Sequence, residues 1–204
     1  MIDTVLVDAG GVLFNNINEE TDFLDRIAHR YGANPDGLAS HVRLFQRDYE
    51  SDDRHVHDVL SEGLRNSGSQ FNDNIDWTWV DELYLASVVP QRAVFEAILR
   101  CRSENSDIKF ALVNNEAAHW DRLKNQTFRH FDLFDFACSS WLLGLVKPDL
   151  NYFDRVLSMC EADAKQCLLV DDRRDVVAAA ARLGIRTFRV DSPSQIRHAL
   201  KGLF

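Results

Sequence analysis

The feature that most constrains this chain is a set of short apolar runs that stop on polar side chains. Ile2 to Val7 is largely apolar and β-branched, and it stops at Asp8-Ala9-Gly10-Gly11. Ile108 to Val113 ends at Asn114-Asn115, and Cys167 to Val170 ends at Asp171-Asp172. Phe134 to Cys138 is a weaker run, and Ile185 to Val190 is a fifth. Runs of this length, bounded by turn-forming residues, are the pattern of buried strands.

Between the later runs the apolar spacing changes to that of helices. Leu150, Phe153, Leu157 and Cys160 fall on one helix face, as do Val176, Ala180 and Leu183, with Gly184 as a stop. Pro148 and Pro193 sit near helix starts, where the missing N–H costs little. Strands alternating with helices imply a mainly parallel sheet covered on both faces. One interval breaks the alternation. From Asn16 to Val88 no strand is expected, and residues 21–31, 38–50, 55–66 and 77–88 all read as helical. This block is expected to be an insertion, with hinges at Phe14-Asn15-Asn16 and at Pro90 and a loop at residues 66–70.

Charge narrows the function classes. Lys plus Arg number 23 against 32 Asp plus Glu, a net charge of -9, which repels phosphate backbones and anionic lipid. No nucleic-acid or membrane partner is therefore expected, and no apolar run approaches the roughly 18 residues of a membrane span. The first residues lack a basic segment leading into a long apolar stretch, so they do not read as a secretory signal. Cys101, Cys138, Cys160 and Cys167 form no CxxC pair and read as reduced, buried thiols, with a cytoplasmic setting expected.

In a parallel α/β sheet, ligands bind beyond the carboxyl ends of the strands. Those ends carry Asp8, Asn114-Asn115 and Asp171-Asp172, and Lys147 lies in the loop Gly144-Leu145-Val146-Lys147-Pro148-Asp149. Singly, each is readable as a turn, a helix cap or a surface residue. If the strands are neighbours, three carboxylates converge on one lysine. Like charges raise each other's pKa, and a hard dication such as magnesium, bound through oxygen, relieves the crowding and leaves positions for a phosphate.

These segments resemble the haloacid dehalogenase (HAD) superfamily of phosphohydrolases, in the subfamily with a helical cap after the first motif. Residues 5–14 match the first motif and Ala111-Leu112-Val113-Asn114-Asn115 the second. Gly144 to Asp149, with Phe153, matches the third, and Leu168 to Asp172, running on to Ala179-Ala180 and Leu183-Gly184-Ile185, the fourth. The resemblance implies a Rossmann-like parallel sheet core with helices on both faces, formed by residues 1–15 and 89–204, and an inserted all-helical cap at 16–88. It implies a phosphatase acting on a small phosphorylated metabolite; a monomer or homodimer is expected. Asp8 would be the nucleophile, and Lys147 would bind the phosphoryl group. Asp8, the Gly10 carbonyl, Asp171 and Asp172 would hold Mg2+, and Ala9, Gly10, Asn114 and Asn115 would meet the substrate.

Two positions depart from the family pattern. Gly10 stands where most family phosphatases carry a second Asp that protonates the leaving oxygen, and Asn114 stands where the family has Ser or Thr. A positioned general acid is worth roughly 10²–10⁴ in rate, so weakened turnover is expected. A ligand-binding or regulatory protein that kept the fold is the alternative. Dehalogenation is disfavoured, since those enzymes carry Tyr at the Gly10 position and use no metal. Phosphonate cleavage needs a cap lysine, and residues 16–88 contain none. A receiver domain has its acidic pair at the first strand and its lysine last, the reverse of this order. His55 and His57, two residues apart, are not expected to face each other or to bind a metal. Arg43, Arg47 and Arg54 are expected on solvated faces, Trp77 and Trp79 in packing, and Arg173-Arg174 on the surface.

Overall fold

The computed structural model of the protein describes residues 1–70, 74–192 and 195–201; Pro193 lies outside the described residues. Five strands form one parallel sheet: β1 (Thr4–Val7), β2 (Lys109–Leu112), β3 (Phe136–Ala137), β4 (Cys167–Asp171) and β5 (Arg186–Arg189). The spatial order is β3-β2-β1-β4-β5. All five coincide with the expected runs, with ends that differ by one or two residues. The weak third run yields only two paired residues, Ala111 with Phe136 and Leu112 with Ala137.

Alternation along the strands divides the core into two layers. Val5, Val7, Phe110, Leu112, Leu168 and Val170 face one side. Leu6, Ala111, Val113, Cys167 and Leu169 face the other. The first side is covered by α7 (Arg92–Glu104), α8 (Ala118–Phe128) and α12 (Ile196–Lys201), the last starting shortly after Pro193. The second is covered by α10 (Leu150–Cys160) and α11 (Arg174–Arg182), and the short α9 (Ser140–Leu143) precedes them. Asp149 caps α10 through the Asn151 N–H at 3.0 Å. All four cysteines are free and buried.

Between β1 and β2 the described residues carry only helices, and before α7 these are α1 (Ile17–Glu20), α2 (Phe23–Arg30), α3 (Pro35–Leu44), α4 (Gln46–Glu50), α5 (Val56–Asn66) and α6 (Trp77–Ser87). The stretch expected as one helix over 38–50 breaks at Phe45, whose N–H closes the preceding turn on His41 O at 3.2 Å before the chain restarts at Gln46. The stretch expected as an insertion begins and ends at one place. Phe14 bridges Pro90, the Gln91 N–H donates to Leu13 O at 2.8 Å, and the Val89 N–H donates to Asn15 Oδ1 at 2.7 Å. The two expected hinges therefore lie side by side. The described residues include no helix long and apolar enough to cross a membrane.

The topology fixes where chemistry can occur. The chain runs outward from β1 through β2 to β3, then crosses to β4 on the other side of β1. That reversal opens a crevice at the carboxyl ends of β1 and β4. Val7 pairs with Val170, so the next residues, Asp8 and Asp171, emerge abreast.

Candidate active site

Lys147 lies at the centre of that crevice. Its Nζ stands 2.9 Å from Asp8 Oδ1 and 2.7 Å from Asp171 Oδ2. All three residues are buried, with Asp171 fully so. The lysine reaches the strand ends because Asn115 grips its backbone twice: the Lys147 N–H donates to Asn115 Oδ1 at 2.9 Å and Asn115 Nδ2 donates to Lys147 O at 3.0 Å. Asp171 Oδ1 accepts the Arg173 N–H at 2.9 Å, at the entry to α11, so both its oxygens are engaged. Asp172 Oδ2 accepts Asn16 Nδ2 at 3.0 Å.

Carboxylate oxygens of Asp8, Asp171 and Asp172 lie within 4.8 Å of one another. One ammonium cannot neutralise three carboxylates. Burial and the neighbouring Asp171 push the Asp8 carboxyl well above its ordinary range, against the pull of Lys147. Asp172 is raised by burial and by Asp171, with Asn16 opposing. Burial disfavours the charged form of Lys147, but Asp171 and Asp8 more than offset this and raise its pKa, so it is a fixed cation. An all-oxygen donor set with surplus negative charge fits a hard dication such as Mg2+ and does not fit a soft metal.

The acidic cluster opens into a cavity of about 230 Å³, whose walls include Asp8, Gly10, Asn16, Glu50, Lys124 and Lys147. Gly10 is in the wall beside Asn16: a Cβ on Gly10 would stand 2.6 Å from Asn16 Oδ1. The carboxamide of Asn16 thus occupies the space beside Gly10 while its Nδ2 donates to Asp172. Gly11 adopts φ +68°, and a Cβ there would collide with the Asp172 carboxylate.

The other expected substrate contacts are turned partly inward. The Ala9 N–H donates to Asp8 Oδ1 at 2.7 Å. Asn114 lines the cavity, but its Nδ2 donates to Asp121 Oδ1 at 3.2 Å. Asp121 is fully buried and also accepts from His130 Nε2, Ser139 Oγ and Trp141 Nε1. Trp141 is thereby directed at Asp121. Trp77 and Trp79 pack within the insertion, as expected. Arg173 is exposed, as expected, and also lines the cavity while pairing with Asp175 at 3.2 Å.

Sequence reasoning missed the far wall. Glu50, at the end of α4, is 7% exposed, and its Oε1 accepts Gln46 Nε2 at 2.7 Å. Burial pushes its carboxyl up to about 7, with the Gln46 hydrogen bond opposing. Ser140 Oγ donates to Glu50 O at 2.6 Å, which fastens the insertion over the sheet end. Lys124 donates to Glu116 Oε2 at 2.6 Å, and Tyr84 Oη donates to the same oxygen at 3.0 Å. A signal for α8 existed. Ala117, Trp120, Asp121 and Lys124 fall at helical spacing, so two charged residues share the buried face of Trp120.

Comparison with known proteins places this chain among relatives. A family model described as haloacid dehalogenase-like hydrolase matches residues 2–184. Among curated proteins, the sesquiterpene phosphatase astK of Aspergillus oryzae is 32% identical over 76 residues, 37% of this chain and 38% of that protein. Phosphatase MT3486 of Mycobacterium tuberculosis is 31% identical over 86 residues, 42% of this chain and 40% of its own. The aligned segments thus span about two fifths of each curated relative. Among solved structures, the HAD family enzyme bt-2542 of Bacteroides thetaiotaomicron superposes with a TM-score of 0.78 at 19% identity, over 97% of this chain and 98% of that one. The wild-type form of that enzyme has also been solved in complex with magnesium and inorganic phosphate, with a TM-score of 0.68 at 20% identity over 94% and 96% of the two chains.

Proposed function

The chain belongs to the haloacid dehalogenase-like hydrolases, and on that premise we propose that it is a magnesium-dependent phosphatase of a small phosphomonoester. Asp8 attacks phosphorus and carries the phosphoryl group as an aspartyl-phosphate. The observation that carries this reading is Lys147 Nζ held 2.9 Å from Asp8 and 2.7 Å from Asp171, with Asp172 beside them. Lys147 keeps the Asp8 carboxylate in place and meets the phosphoryl oxygens; Lys124 and Arg173 add positive charge to the same cavity. Asp8, Asp172, Asp171 and the Gly10 carbonyl would hold Mg2+, which supplies charge neutralisation on the phosphoryl group.

Because Gly10 offers no acid, the leaving oxygen takes its proton from elsewhere. Glu50 is the candidate: it lines the same cavity, and its carboxyl is raised to about 7, near the working range of a general acid. The Asp8 oxygen–phosphorus bond forms, the ester bond breaks, and Glu50 protonates the departing oxygen. Glu50 carboxylate then accepts a proton from water as that water attacks phosphorus, and inorganic phosphate and free Asp8 are regenerated. In this reading residues 16–88 are a cap that brings Glu50 to a core of residues 1–15 and 89–204. The four buried thiols suit a reducing, cytoplasmic setting, with the protein a monomer or homodimer.

A phosphorylated-metabolite panel assayed with Mg2+ tests the proposal. Wild-type protein hydrolyses at least one member, and Asp8→Asn does not; equal residual activity in the two removes it. The competing reading, a ligand-binding protein without turnover, draws on Gly10 and on the Asn114 amide committed to Asp121. It predicts no Asp8-dependent hydrolysis even of acyl phosphates.

A further inference from the structure

A second cluster of ligating side chains lies apart from the acidic pocket. Asp81 on α6 receives two imidazoles. His57 Nε2, from α5, is 3.2 Å from its Oδ1, and His119 Nε2, from the first turn of α8, is 2.9 Å from Oδ1 and from Oδ2. One ligand atom from each of the three lies within 4.8 Å of the other two. The side chains are 14%, 22% and 29% exposed for His57, Asp81 and His119, so the cluster is held yet open to solvent. The His57 ring stacks on Trp77 at 4.0 Å and 7°, which fixes its plane. His55, expected to face away from His57, instead caps α5, and its ring lies 4.9 Å from that of His57.

We propose that His57, Asp81 and His119 form a binding site for a transition-metal dication, Zn2+ foremost, that staples the helical insertion to the core. Metal–ligand bonds of about 2.0–2.1 Å in a tetrahedron separate neighbouring ligand atoms by roughly 3.3 Å. The observed separations of Asp81 oxygen from the two Nε2 atoms, 2.9 and 3.2 Å, fall near that edge. Two imidazoles and one carboxylate suit zinc and are poor ligands for magnesium, so the two clusters select different ions. The staple is a consequence of topology: His57 and Asp81 belong to the insertion, whereas His119 belongs to α8, which also carries Lys124 into the catalytic cavity. Zinc bound there fixes the insertion against the helix that forms part of the cavity wall.

The test uses EDTA-stripped protein in saturating Mg2+, which occupies the acidic cluster, titrated with Zn2+ by calorimetry and by thermal melting. One equivalent of Zn2+ binds and raises the Tm. Asp81→Asn and His119→Ala, each checked for native circular dichroism, lose at least about tenfold in Zn2+ affinity and keep Mg2+-dependent phosphatase activity. Co2+ added to wild-type protein gives the visible absorption of a tetrahedral N,O site, a readout that needs no variant. Identical Zn2+ isotherms in wild type and both variants, or no tetrahedral Co2+ spectrum, overturn the proposal and leave a hydrogen-bonded His–Asp–His array. Loss of activity in Asp8→Asn is independent of either result.

Discussion

Replacing Glu50 by Gln isolates the buried carboxyl over the candidate active site. The folded protein holds this group at about 7 against an ordinary 4.5. Between those values the native state binds more protons than the unfolded chain, so stability falls as pH rises. At about 1.4 kcal/mol per unit of pKa difference, the full loss is about 3 kcal/mol. It is absent below about pH 4.5 and complete above about pH 7. Glutamine keeps the length and can still accept from Gln46, whose Nε2 lies 2.7 Å from Glu50 Oε1, and it carries no charge to bury. Urea unfolding of both proteins in EDTA across this range should therefore give near-equal stability at the acid end. At the alkaline end the Glu50→Gln protein should be more stable than wild type by about 3 kcal/mol. The same variant should lose roughly 10²–10⁴ in kcat on alkyl phosphates and much less on aryl phosphates, whose leaving groups need little protonation. A stability gap that stays constant with pH would refute the assignment of a protonated buried Glu50, and equal kcat losses on both substrate types would refute its role as proton donor.

Other perturbations follow from the same contacts. Lys147→Met leaves Asp8 and Asp171 buried without their cation, and should cost about 3–5 kcal/mol in urea unfolding near neutrality. That cost should shrink as pH falls and the Asp8 carboxyl, already raised by burial, takes up a proton. Gly11→Ala places a methyl against the Asp172 carboxylate at a positive φ, so the variant should lose the Tm rise that Mg2+ gives the wild type. Burial raises the Asp121 pKa, but the His130 hydrogen bond and Lys124 outweigh it, so the group ionises below its ordinary 3.8. Its contribution is therefore in place above that value and is lost as pH falls through the lower, folded pKa. Asp121→Ala, which leaves Asn114, His130, Ser139 and Trp141 without their acceptor, should cost about 3 kcal/mol or more at neutral pH by denaturant unfolding.

The sheet was legible because apolar runs and their polar stops are local. Val5-Leu6-Val7 before Asp8, and Leu168-Leu169-Val170 before Asp171, specify a buried strand and its end without reference to anything distant. The third strand was faint because Phe136 and Ala137 are only half-buried at the sheet edge. The acidic residues and Lys147 could be named from their places at strand ends and from the family resemblance. Their convergence required the order β3-β2-β1-β4-β5, which sets Cys167 of β4 against Thr4 of β1 from opposite ends of the chain.

What the sequence left open are contacts between segments with no local tie. Glu50 is one acid among many in a helical stretch until tertiary packing buries it over the pocket and raises its pKa. His57 and Asp81 have no visible relation to His119 until α5, α6 and α8 meet. Local pattern determines which face of an element is apolar, because that depends on neighbours three or four residues away. Which polar groups from opposite faces then meet, and whether they stay solvated or become a site, depends on how the elements are stacked, and only the folded chain decides that.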